Sequence, residues 1–108
     1  MQVLRVTGGS RLVGEVPVVG AKNSTLKLMS AALLAEGATH IGNLPAIADV
    51  AIMRQLLERL GCGVAETRAA DGTEGVTITV PQTPASAAPY ELVRQIRASI
   101  CVLGPLLT

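Results

Sequence analysis

The chain has 108 residues, a formal net charge of +1 and 49% hydrophobic residues, with no Phe, no Trp and one Tyr. It is long enough for one small domain or part of a larger one, with a core of Leu, Ile, Val, Ala and Met. A near-neutral charge without a basic run, and the lack of aromatic platforms for base stacking, exclude an ordinary nucleic-acid binder and leave a small-molecule partner.

Residues 2–8 and 15–19 read as two strands joined by the turn Gly8-Gly9-Ser10-Arg11. Met1-Gln2-Val3-Leu4-Arg5 lacks the apolar run and small-residue cleavage site of a signal peptide, so the chain is expected in the cytoplasm. The apolar stretches 29–35 and 98–107 fall short of the roughly 18 residues of a spanning helix, and no membrane segment is expected. Gly20 ends the second strand and Asn23 or Ser24 can cap the next element. Leu26, Met29, Leu33 and Leu34 then recur at helical spacing, predicting a first helix through Glu36 with Gly37 just past its C-cap.

Thr39 to Leu44 is a short strand closed by Pro45. Val50, Met53, Leu56, Leu57 and Leu60 define the apolar face of a second helix stopped by Gly61, with Asp49 in its first turn, where a negative charge suits the helix dipole. Strands at 63–67 and 75–80 flank Asp71-Gly72 and read as a hairpin. Residues 81–89, rich in Pro, Ser and Ala, are a connection. A third helix follows over 90–103 with core face Leu92, Ile96, Ile100 and Leu103, broken by Gly104-Pro105. The apolar ending Leu106-Leu107-Thr108 reads as a truncation, and the surfaces it exposes are candidates for self-association. Strands alternating with helices around an antiparallel pair predict an α+β fold, a mixed sheet packed on one side by helices. No GxGxxG is present, so a dinucleotide fold has no support.

Three requirements of an oxyanion site meet in Gly20-Ala21-Lys22-Asn23-Ser24. A glycine permits close backbone approach, a helix start offers free N–H groups, and Lys22 supplies a mobile point charge. A Walker A loop fails on spacing, because Ala21 separates Gly20 from Lys22 and Asn23 follows the lysine. The plain alternative is a solvated lysine beside a capping Asn, and residue chemistry alone leaves both readings open. Arg94 has Glu91 as a surface partner, whereas Arg97 enters the apolar run Ala98 to Leu103 with no acidic neighbour and must find a ligand anion, a distant carboxylate or water. Cys101, among Ile100, Val102 and Leu103, and Cys62, after the Gly61 helix stop, read as inert buried thiols; His40 reads as a surface or edge-strand residue. Two distant cysteines and one His make no metal constellation, and neither metal nor cofactor is expected.

Taken together, Gly20-Ala21-Lys22-Asn23-Ser24, the helix Leu26 to Glu36, Ile41-Gly42-Asn43-Leu44-Pro45 and Ile96-Arg97-Ala98-Ser99-Ile100 resemble the amino-terminal quarter of the UDP-N-acetylglucosamine 1-carboxyvinyltransferase family of enolpyruvyl transferases. The resemblance runs from Arg5-Val6-Thr7-Gly8 to Leu103-Gly104-Pro105-Leu106; the sister enolpyruvylshikimate phosphate synthases, which typically carry Lys-Ser at Lys22-Asn23, are the runner-up. It implies part of an α/β prism, with residues 1–21 packing on a second domain and 22–108 forming an incomplete amino-terminal substrate-binding domain. It implies transfer of the enolpyruvyl group of phosphoenolpyruvate to the 3-hydroxyl of UDP-N-acetylglucosamine, the step that opens peptidoglycan synthesis. Lys22 and Asn23 would contact phosphoenolpyruvate and the reaction intermediate, and Arg97 the sugar nucleotide. The family's proton-donating Cys or Asp would lie beyond Thr108, Cys101 is not that residue, and these 108 residues alone are expected to be inactive. A non-catalytic truncated relative acting as a binding module is the alternative from another class.

Overall fold

The computed structural model describes residues 1–95 and 97–108. Helix α1 spans Lys22–Ala31 and tightens into a 3-10 turn at Ala32–Leu34. Leu26, Met29, Ala32 and Leu33 recur every three or four residues and are buried, which makes this the inward face. The chain leaves the helix at Ala35 in an extended conformation. Gly37 is therefore not its closing residue, contrary to expectation; with φ of 100° it opens strand β1 (Gly37–Ile41).

Helix α2 (Ala48–Arg59) follows the expected pattern, with Met53, Leu56, Leu57 and Leu60 fully buried and Val50 half-buried. Burying each such Leu or Met side chain contributes roughly 1.5–3 kcal/mol. Its end is a Schellman motif: Gly61 N–H donates to Glu58 O at 3.0 Å and Cys62 N–H to Leu57 O at 3.0 Å, with Gly61 at φ 96°. A residue with a Cβ adopts that φ at a penalty, so the helix stops where the glycine stands.

Strands β2 (Gly63–Arg68) and β3 (Glu74–Val80) form the expected hairpin. Asp71 Oδ1 accepts from the Thr73 N–H at 3.0 Å and from its hydroxyl at 2.7 Å, and Gly72 takes φ 85°. These bonds hold the Asp71 carboxyl below the usual Asp range. The sheet order is β1-β3-β2 with both pairings antiparallel, rather than mixed as expected. The crossover through α2 makes β1 and β2 parallel to each other, but the hairpin inserts β3 between them, so no parallel ladder forms. Val76, Ile78 and Val80, alternating on β3, are buried in the same cluster as the α1 and α2 leucines.

Two segments depart from the sequence reading. Residues 1–19 are exposed throughout and no strand forms there among the described residues, so the expected strands at 2–8 and 15–19 are absent. A strand is stabilised by its ladder, and the bonds tying this segment to the body run from Val18 and Gly20 to Asn43. Residues 90–103 do not make one helix. They form α3 (Tyr90–Val93), a 3-10 turn (Arg97–Val102) and then α4 (Leu103–Leu106). Ile100 is 67% exposed and Leu103 50%, while Ser99 and Val102 are buried. A 3-10 turn repeats every three residues, so Ser99 and Val102 eclipse and the 3.6-residue face of Leu92, Ile100 and Leu103 does not apply. Ile96 lies outside the described residues. Gly104-Pro105 does not break a helix but sits in the first turn of α4, where proline's missing N–H costs nothing. No helix is long and apolar enough to cross a membrane among the described residues.

Candidate functional site

The Lys22 turn is a strand-like segment handed over to α1 under tight steric control. Gly20 N–H donates to Asn43 O at 3.0 Å, and a Cβ on Gly20 would stand 2.4 Å from that oxygen. The close approach of Asn43's backbone thus by itself requires a glycine here. Asn43 itself adopts φ 54°, a left-handed conformation that Asn tolerates better than most residues, and its Nδ2 donates to Val18 O at 3.2 Å. One residue therefore grips the entering segment through both its carbonyl and its amide.

Ala21, not Asn23 or Ser24, is the N-cap residue: it is the last extended position, at φ −75° and ψ 144°, and it has no side chain able to cap. Asn23 and Ser24 fall inside the first turn, too late to cap it, and the Ser24 hydroxyl donates back to Ala21 O at 3.1 Å. The first helical backbone bond runs from Thr25 N–H to Ala21 O at 3.0 Å. The N–H groups of Lys22, Asn23 and Ser24 precede it without a side-chain cap, on three exposed residues. Uncapped helix-start amides beside an ammonium favour a small oxyanion.

The Lys22 ammonium is not freely solvated. Its Nζ lies 2.6 Å from Asp49 Oδ2, with the side chains 56% and 28% exposed. A pair this exposed contributes at most about 1 kcal/mol to stability, so the fold does not depend on it. Sequence reading placed Asp49 on the α2 dipole and missed this partnership, because Lys22 and Asp49 come together only through the packing of α1 on α2. The grip of Asn43 was missed too, although Gly42-Asn43 before Leu44-Pro45 is a turn-forming sequence that could have pointed to it.

Arg97 opens the 3-10 turn that packs against α1, is exposed, and forms no ion pair among the described residues. Thus Lys22 and Asn23 share one turn and Arg97 stands on a separate element beside the same helix. Arg94 pairs with Glu91 at 3.0 Å, the expected surface bridge, and lies 5.8 Å from the Tyr90 ring centre. Cys62 is buried, and burial pushes its thiol up, which makes it less reactive. Cys101 is half-buried, less enclosed than expected, because the 3-10 turn faces Ser99 and Val102 inward. His40 is exposed on edge strand β1, with Nδ1 3.2 Å from Thr77 Oγ1. Among the described residues no group of His, Cys, Asp and Glu could hold a metal.

A cavity of about 370 Å³ lies elsewhere, between α2 and the hairpin, lined by Leu44, Val50, Arg54, Glu66, Arg68 and Glu74 among others. None of Lys22, Asn23 or Arg97 lines it. Its arginines are matched, Arg54 with Glu66 and Arg68 with Glu74 at 3.3 Å, so it offers an anion no net positive charge. Lys22 is matched as well, by Asp49, so net charge does not separate the two places; the candidates Lys22 and Asn23 lie at the turn and not in the hollow.

Comparison with known proteins bears on this arrangement. Residues 6–108 match the family model described as EPSP synthase (3-phosphoshikimate 1-carboxyvinyltransferase). A UDP-N-acetylglucosamine 1-carboxyvinyltransferase of Nocardia farcinica is 59% identical over 103 residues, covering 94% of this chain and 24% of the relative. One of Corynebacterium jeikeium is 55% identical over 101 residues, covering 94% and 23%, and one of a Caulobacter species is 46% identical, covering 99% and 24%. The chain thus spans about a quarter of the length of the curated relatives it matches. The crystal structure of the enolpyruvyl transferase NikO from Streptomyces tendae superimposes with a TM-score of 0.72 at 26% identity, over 93% of this chain and 22% of that one. An antiparallel three-stranded sheet with its helices, shared with that structure, and a family match over residues 6–108 establish that the chain belongs to the EPSP synthase family of enolpyruvyl transferases, of which it is a part.

Proposed function

We propose that the protein carrying this chain is a cytoplasmic transferase that moves the enolpyruvyl group of phosphoenolpyruvate to the 3-hydroxyl of UDP-N-acetylglucosamine, and that the turn around Lys22 contributes to its anion site. The observation that carries the reading is the exposed Lys22–Asn23–Ser24 turn, with uncapped helix-start amides and a held ammonium, in a chain 59% identical to a relative of that name. In this reaction the sugar hydroxyl gives its proton to a base and its oxygen bonds to C2 of phosphoenolpyruvate, as the C3 methylene gains a proton from an acid. The tetrahedral ketal then loses phosphate and the proton, restoring the double bond. Negative charge shifts among carboxylate, phosphate and leaving group throughout, and fixed cations and N–H donors stabilise that redistribution.

On this reading Lys22 and Asn23 contact phosphoenolpyruvate and the ketal, and Arg97 binds the sugar nucleotide. Cys62 is buried in the core and Cys101 is half-buried in the 3-10 turn, and on this reading neither is the proton donor, which the 108 residues alone would lack. They are expected to be inactive and to bind UDP-N-acetylglucosamine weakly. Residues 1–21 serve as strands packed on a second domain, and 22–108 as the incomplete substrate-binding domain. The family model's own description favours a second reading, in which the acceptor is shikimate phosphate.

Phosphate release by the gene product, assayed with each acceptor in turn, separates the two. The expected result is turnover with UDP-N-acetylglucosamine alone, lowered at least about a hundredfold by Lys22→Ala, as for loss of a donor aimed at developing charge. Turnover with shikimate phosphate instead, or undiminished turnover in the variant, contradicts the assignment.

A further inference from the structure

We infer that the connection between β1 and α2, together with the first turn of α2, is a positioning device for Lys22: Asp49 in that turn fixes where its ammonium sits, and Asn43 in the connection fixes the turn from which it extends. The inference rests on the proposed role of Lys22 in binding an anion. A lysine is a point charge on four rotatable methylenes, and it aims at nothing unless a second group holds it. Here the second group is Asp49. Asp49 Oδ2 stands 2.6 Å from Nζ, and its own carboxylate is 28% exposed in the first turn of a helix packed on α1. At the other end of the side chain, the backbone that carries Lys22 is clamped by Asn43. Its carbonyl accepts from Gly20 N–H at 3.0 Å, its amide donates to Val18 O at 3.2 Å, and its backbone is left-handed at φ 54°. Gly20 leaves no room to loosen this clamp, since any Cβ would press on Asn43 O at 2.4 Å. Residues 43 and 49 thus hold the base and the tip of one cation.

Asp49 as a mere charge and Asp49 as a positioning residue make opposite predictions. A negative charge beside an anion site repels the anion, so removing it would strengthen binding. A group that holds the ammonium in place improves catalysis, and a misplacement of about 1 Å can lower rate by about a hundredfold. We expect positioning to prevail, because the carboxylate's charge is already largely cancelled by the lysine it holds.

The test uses the gene product containing this chain, with steady-state kinetics on phosphoenolpyruvate and UDP-N-acetylglucosamine and a thermal melt on each variant. Asp49→Ala should lower kcat/KM for phosphoenolpyruvate about tenfold, with the KM for the sugar nucleotide held within about twofold and an unchanged melting profile. Asp49→Glu should restore part of the loss, which a purely structural defect at the α2 start would not reproduce. In the Lys22→Ala background Asp49→Ala should add nothing, since it acts through the lysine. Asn43→Gly keeps the left-handed backbone while deleting the amide, and should give a smaller loss in the same parameter. Lys22→Ala without effect would overturn the reading of Lys22 itself. An impaired Lys22→Ala together with an Asp49→Ala protein as active as wild type or more so would overturn the positioning role alone, as would a full tenfold loss persisting in the double variant. Wild-type kinetics in Asn43→Gly would remove Asn43 from the device.

Discussion

The Gly20–Ser24 turn presents a cation at the start of α1 and the segment 90–107 presents one beside that helix, yet they are built in different ways. At the turn, three contacts reach partners distant in sequence: Gly20 on Asn43, Asn43 on Val18, Lys22 on Asp49. Among the described residues of 90–107 the backbone bonds are local, as in Arg94 N–H to Tyr90 O at 3.0 Å and Leu107 N–H to Leu103 O at 3.1 Å, and Arg97 stands exposed on a 3-10 turn. Tertiary partners separate a fixed cation from a merely exposed one. A side chain's distance along the sequence from an apolar stripe says little about which it will be.

Substitutions can break that contrast or sharpen it. The largest stability effect is expected where long-range packing is densest. Leu56→Ala, at a fully buried position of α2, should cost about 3–4 kcal/mol in urea denaturation, against less than about 0.5 kcal/mol for Ile100→Ala, which helical spacing had assigned to the core but which is 67% exposed. Equal costs would mean that 90–107 packs as one regular helix after all. Gly20→Ala comes next, at about 2 kcal/mol, because the Cβ has no space beside Asn43 O. Gly104→Ala on α4 meets nothing within 4 Å and should be neutral or slightly stabilising. A neutral Gly20→Ala would show that the grip of Asn43 is loose.

The smallest effect belongs to the hairpin. The Asp71 carboxyl is held below its ordinary value of 3.8 by Thr73, so its contribution to stability is present above that pH and is lost as the pH falls through the lower folded value. Asp71→Asn should therefore be slightly less stable than wild type at neutral pH, and the difference should vanish as the pH falls through the lowered folded value. A difference that persists in acid would assign the effect to turn geometry rather than to charge.

Much of this was legible in the sequence, and the exceptions have physical causes. The α2 face was readable because Leu and Met recur at 3.6 residues and Gly61 supplies the left-handed stop; the hairpin was readable because Asp71-Gly72 is a turn in any context. The strands expected at 2–8 and 15–19 failed because alternation names a face and not the ladder that must cover it. The third helix failed because Ser99 and Val102 follow a three-residue repeat, and no local signal distinguishes that from helical spacing. In the candidate site, Lys22 and Asn23 stood out by chemistry, and the family resemblance was met by the match over residues 6–108. Asp49 was invisible as their neighbour because only the packing of α1 on α2 brings it there.

The central claim, that the Gly20–Ser24 turn receives the anionic substrate, is tested most directly by titrating phosphoenolpyruvate into the isotope-labelled chain and following backbone amide resonances. The account predicts shifts concentrated at Lys22, Asn23, Ser24 and Thr25, lost in Lys22→Ala. Shifts that map instead to Arg54 and Arg68 around the hairpin cavity, or that survive in Lys22→Ala, would contradict it.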